Sequence, residues 1–101
     1  MKDKLLKIIN HYGITKQLKY IHSEYFELDE AIIDYEKSGW NFSDDTCLDI
    51  EREYTTHIAE EIADIMVMLK QFQYYYCIED QEIEEIMEYK ADRQLKRMEN
   101  E

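Results

Sequence analysis

Two short stretches carry carboxylates at a spacing that could do chemistry. "SEYFELDEAI", residues 23–32, holds Glu24 and Glu27, and "EEIADIMVML", residues 60–69, holds Glu61 and Asp64. Within each pair the acids are three residues apart, so on a helix they share a face. The step from Glu24 to Glu61 equals the step from Glu27 to Asp64, 37 residues in both cases. Helices that pack side by side with these faces matched would bring four carboxylates together. Such a group repels itself, and beside apolar residues the repulsion grows as the local dielectric falls. Relief comes from protonation or from a cation. Oxygen ligands alone select a hard cation, Mg²⁺ or Mn²⁺ before Zn²⁺. Mg²⁺ keeps several waters and commonly binds phosphate at the same time, a route by which an acidic protein could hold an anionic substrate.

A plainer reading stands beside this one. With 24 acids in 101 residues, acidic pairs arise by chance. Acids next to an apolar stripe are ordinarily the solvated flank of an amphipathic helix. The repeated offset favours the metal site without deciding the matter. A di-iron carboxylate bundle would want Glu-x-x-His pairs. The residues three before His11, His22 and His57 are Ile8, Lys19 and Tyr54, so that pattern is absent. His57 lies one turn before Glu61 and is either a neighbour of the site or a solvated helix histidine. Glu60 is expected to face solvent or to support the ligands.

The basic residues are few, so their grouping is informative. Lys90, Arg93 and Arg97 fall on one face of a predicted helix. They are either phosphate partners or a solvated face that complements the helix C-terminus. Trp40 and Phe42 could stack on a base or anchor a loop.

The elements that must position these groups are helices. The chain has no Pro and only two Gly, Gly13 and Gly39. One helix is predicted over about 2–12, ending near Gly13. A second is capped by Thr15 and runs to about Ser38. "SGWNFSDD", 38–45, reads as a loop with Ser43, Asp44 and Asp45 as candidate caps. A third helix runs to about Tyr76, with an irregular start in "TCLDIEREYTT", and a fourth, capped by Asp80, runs to about Met98. Leu18, Ile21, Tyr25, Leu28, Ile32 and Tyr35 form one apolar stripe; Ile58, Ile62, Ile65, Leu69, Phe72 and Tyr76 form another. The four acids would sit one residue away from these stripes, at the edge of the seam where the helices meet.

Composition bounds the rest. At 101 residues the chain is expected to be a single domain, 1–101. An apolar content of 45% is too high for a disordered acidic tail. A net charge of −12 opposes binding to nucleic acid or an anionic membrane. No apolar run spans a bilayer, and the opening MKDKLLKII lacks a signal-peptide cleavage pattern. Cys47 and Cys77 lack zinc spacing and read as reduced thiols of a cytoplasmic protein.

The quoted stretches resemble the ExxE…ExxD signature of the all-α nucleotide pyrophosphohydrolases, the MazG-like proteins, with dimeric dUTPases and phosphoribosyl-ATP pyrophosphohydrolases as relatives. "GITKQLKYIHSEYFEL", 13–28, is similar to the family's lead-in, and "YKADRQLKR", 89–97, to a basic stretch that follows in many members. The resemblance implies an all-α, four-helix, MazG-like bundle that oligomerises through long amphipathic helices. It implies Mg²⁺ ligands at Glu24, Glu27, Glu61 and Asp64; in a metal-assisted hydrolysis Glu27 or Glu61 is the carboxylate expected to take the proton of the attacking water. It implies phosphate contacts from Lys90, Arg93 and Arg97, and a nucleotide contact from Gln17. The implied reaction converts a nucleoside triphosphate to its monophosphate and pyrophosphate, in a homodimer or homotetramer whose neighbouring subunits complete the site. The segment 28–60 is long for the compact members, so substrate preference does not transfer. The competing class is a non-catalytic helical interaction protein, whose stripes bind a partner and whose acids solubilise it.

Overall fold

A computed structural model describes residues 1–38 and 45–101, the side chains of 45–48 excepted. The expected loop residues Trp40, Phe42, Ser43 and Asp44 lie outside the described residues, as do the side chains of Asp45 and Cys47. Four helices follow one another, α1 (Lys2–Tyr12), α2 (Ile14–Lys37), α3 (Asp45–Tyr75) and α4 (Asp80–Glu99), with no strand among the described residues. The chain is all-α. None of its described helices is long and apolar enough to cross a membrane.

α1 buries Leu5 and Ile9, a one-turn pair on its inner face. It ends where Gly13 takes φ +89° and donates its N–H to Ile9 O at 2.8 Å. A positive φ there suits glycine, which has no Cβ to clash. The Gly13 carbonyl then accepts from Gln17 N at 3.1 Å and starts α2. Gly13, not Thr15, is therefore the N-cap of α2, and no side chain caps it. α3 has 31 residues, about 46 Å at 1.5 Å per residue. The stretch expected to be irregular, 46–56, is helical throughout.

α2 and α3 form the central pair. Gln17 meets Gln71, Glu24 lies with Asp64, and Tyr35 meets Tyr54, so the two helices run antiparallel. α1 packs against both. The seam differs from the expected one by a rotation of the helices. Ile21, Leu28 and Tyr35 turn inward as expected, but they alternate with Gln17, Glu24 and Ala31, while Leu18, Tyr25 and Ile32 are exposed. On α3, Ile58, Ile65 and Phe72 turn inward and alternate with Tyr54, Glu61 and Met68, while Ile62, Leu69 and Tyr76 are exposed. Both choices step by 3 and 4 and satisfy helical periodicity. The observed one turns the small, fully covered Ala31 inward, where a short side chain lets two helices approach closely.

The α3–α4 turn is closed by a Schellman arrangement. Cys77 adopts φ 59°, its N–H donates to Tyr74 O, and Ile78 N–H donates to Gln73 O. Asp80 does not cap α4; Glu79 holds that position. The Asp80 carboxylate instead reaches back to α3. It accepts from Lys70 Nζ at 2.7 Å, Gln73 Nε2 at 2.7 Å and the Tyr74 hydroxyl at 3.0 Å. Beyond that latch α4 packs against none of α1–α3 and carries no buried residue.

Lys70, Gln73 and Tyr74 hold the Asp80 carboxyl at about 2, below its ordinary 3.8. A depressed carboxylate stabilises the fold above its unfolded value and ceases to do so as pH falls through the folded one. Asp80→Asn should therefore lower the thermal midpoint at pH 7, and the gap to the wild type should close between pH 4 and pH 2. Thermal denaturation followed by circular dichroism across that range is the measurement; a gap independent of pH would refute the latch.

Candidate metal centre

The rotated seam changes where the acids sit. Glu24 and Glu61 are not beside the seam but in it, at 6% and 9% exposure, in positions where a helix pair ordinarily places an apolar side chain. Glu27 and Asp64, one turn on from each, are exposed at its edge. The antiparallel pairing brings all four together, with one oxygen of each within 4.8 Å of the others. Two oxygens in this group, Glu24 Oε2 and Glu61 Oε2, are buried and have no hydrogen-bond partner.

Burial pushes the Glu24 carboxyl above its ordinary 4.5; the Tyr20 hydroxyl beside it pulls the other way, and the charges of Glu27 and Asp64 add to the rise. The same contact with Glu24 raises the Tyr20 hydroxyl. Across one turn of α3, His57 Nδ1 stands 3.9 Å from Glu61 Oε1. This places His57 beside the cluster, too far for a good hydrogen bond. Glu60 points to solvent.

This donor set suits a hard divalent cation. Buried carboxylate oxygens without partners cost free energy, and a cation would remove both that cost and the mutual repulsion. Opposite oxygens around octahedral Mg²⁺ lie about 4.2 Å apart, twice its bond length of about 2.1 Å. The observed spread is slightly wider, and the exposed Glu27 and Asp64 are the pair free to close it.

A cavity of about 440 Å³ opens beside the acids, with Glu24 and Asp64 in its wall. Gln17 belongs to it, buried at 6% and donating Nε2 to Gln71 Oε1 at 2.8 Å. Lys16 also lines it and lies 5.0 Å from the centre of the Tyr12 ring. Lys90, Arg93 and Arg97 are exposed on α4, with Arg93 over the Tyr89 ring at 5.9 Å. Within one chain α4 does not pack on the helices that carry the acids.

The sequence reading gave no role to Lys16, Tyr20 or Gln71. A signal for Gln71 was present. With Glu24 set against Asp64 on antiparallel helices, the residue seven before Glu24 faces the residue seven after Asp64; these are Gln17 and Gln71. No family model, no curated protein and no solved structure matches the chain.

Without metal, the raised Glu24 carboxyl penalises the fold progressively as pH rises from its ordinary value through the raised one. In EDTA at pH 8, Glu24→Gln should melt above the wild type, and the difference should shrink toward pH 4. With Mg²⁺ at about a hundred times its Kd the wild type should gain about 2.7 kcal/mol, and the variant much less. Melting curves with Mg²⁺ and with EDTA decide it. A wild type indifferent to Mg²⁺ would make the cluster a buried acidic patch and nothing more.

Proposed function

We propose that the chain is a Mg²⁺-dependent nucleoside triphosphate pyrophosphohydrolase of the MazG-like type, with Mn²⁺ as an alternative metal. One observation carries the reading: two seam-buried carboxylates with unpartnered oxygens join two exposed ones beside a cavity large enough for a nucleoside. Glu24, Glu27, Glu61 and Asp64 would hold the cation. Bound there, it would neutralise charge on the triphosphate and make a coordinated water more acidic.

In the proposed reaction, water attacks the α-phosphorus and the bond to the oxygen bridging the α- and β-phosphates breaks. The products are the nucleoside monophosphate and pyrophosphate. Glu27 is exposed where water reaches it, and Glu61 has an oxygen that nothing else engages. Either carboxylate would take the proton of the attacking water. Lys16 is the cation that lines the same cavity as Glu24 and Asp64, and it supplies a phosphate contact within the subunit. Lys90, Arg93 and Arg97 would act on the site of a neighbouring subunit.

Assembly follows from the surface. Leu18, Tyr25 and Ile32 on α2 and Ile62, Leu69 and Tyr76 on α3 are exposed. So are Ile86, Met87, Tyr89, Leu95 and Met98 on α4, a 20-residue helix with no buried residue. A helix in water gains most of its stability from packing one face, so a second copy is the natural cover and a homodimer or homotetramer the proposed state. The same exposed faces support the second reading, a non-catalytic interaction protein. Either protein would work in the cytoplasm, where its two thiols stay reduced.

Sedimentation at micromolar concentration should show no monomer, and Leu69→Glu with Leu18→Glu should shift the protein toward one; a monomeric wild type would sink the assembly. Pyrophosphate release from a panel of standard and modified nucleoside triphosphates should need Mg²⁺, stop with EDTA and fall by at least about a hundredfold in Glu61→Gln, the scale of one general base. A folded, oligomeric protein that releases none from any nucleotide would leave the interaction-protein reading.

A further inference from the structure

The cavity beside the acids has a wall that an apolar pocket would not need. Gln17 and Gln71 are buried there, at 6% and 2% exposure, one from each central helix. A buried amide is costly unless its groups are paired. This pair closes one strong bond, Gln17 Nε2 to Gln71 Oε1 at 2.8 Å. Among the described residues both amide nitrogens otherwise donate only to the Met68 sulfur, a weak acceptor, at 3.9 and 3.7 Å. Among the described residues nothing donates to Gln17 Oε1. The wall therefore keeps one free acceptor and one underused donor close together. Ile8, Tyr12 and Val67 supply apolar surface around the same cavity.

From this geometry we infer that the Gln17–Gln71 pair is the base-reading element of the site. A flat ring with adjacent donor and acceptor groups on one edge complements it, and a nucleobase offers that edge beside the triphosphate. The pair has a second property. Turning both amides over together keeps a bond between them and swaps which glutamine carries the free acceptor and which the underused donor. The pair thus accepts an edge in either order. It selects for an open Watson–Crick edge and discriminates weakly between bases.

The inference rests on the proposed hydrolase reading, and its test separates the two. Substrates are compared in pairs, uridine against N3-methyluridine triphosphate and guanosine against N1-methylguanosine triphosphate, where the methyl group blocks the edge. The wild type should lose tenfold or more in kcat/KM on methylation. In Gln71→Met, and independently in Gln17→Met, which keep the volume, the unmethylated substrates should lose that activity while the methylation penalty disappears. A structural role for the glutamines would lower both members of a pair alike. Hydrolysis without a methylation penalty, or a penalty that survives in both variants, overturns the inference and leaves the hydrolase standing. If no triphosphate is hydrolysed, the hydrolase reading fails. Calorimetric binding of the corresponding nucleosides in EDTA then decides the pair by the same comparison: a methylation penalty lost in both variants supports it, and equal or absent binding overturns it.

Discussion

Everything in this molecule is arranged around a seam that holds charge. α2 and α3 pack antiparallel, and at two inward positions where shape calls for an apolar side chain they place Glu24 and Glu61. Two carboxylates in such a place repel each other and leave oxygens without partners. Ile21, Leu28, Ile58 and Ile65 line the seam on either side of them. A fold optimised only for stability would have put the apolar residues one step along each helix, Tyr25 and Ile62, in those positions. They are available in the sequence and stand outside. The cost is specific, and a cation would offset it.

The register that creates this cost also organises the neighbourhood. Because the helices run antiparallel, two turns from the acids the same seam sets Gln17 against Gln71. On α2 the buried Gln17 and Glu24 are a heptad apart, amide and then carboxylate; on α3 the buried Gln71 follows the exposed Asp64 by the same step. Tyr20 projects from α2 between these levels, next to Glu24, and Lys16 stands at the cavity wall beyond it.

The sequence made the helices and the acids legible and misplaced the seam. Gly13 and the absence of Pro mark the helix ends to within a residue or two, because a break needs a residue with special backbone freedom. The four acids stood out because the same spacing occurs twice. The apolar stripe was misread because Leu18, Tyr25 and Ile32 are more hydrophobic than Gln17, Glu24 and Ala31, and periodicity weighs hydrophobicity alone. It has no means of seeing that a polar residue is buried for a reason. The two faces differ by one residue, and the choice between them is made in packing, where α1 covers both helices and Ala31 turns inward. The role of Asp80 was hidden in the same way: an acid at a helix start reads as a cap until Lys70, Gln73 and Tyr74 are seen to converge on it.

The misplaced stripe is informative in its own right. A helix pair that needs one apolar seam here carries a second set of apolar residues, Leu18, Tyr25 and Ile32 on α2 and Ile62, Leu69 and Tyr76 on α3, exposed on the outside. α4 repeats the pattern, with exposed apolar residues on a helix that, beyond its latch, packs against none of α1–α3. With a net charge of −12, copies of this chain repel at long range. Apolar faces of this extent can hold them together only at contact, and a divalent cation in each cluster would lower the charge that opposes it. Metal binding and assembly would then be coupled through a single electrostatic quantity: an ion held by Glu24, Glu27, Glu61 and Asp64 would cancel two negative charges within the chain and weaken the repulsion between chains.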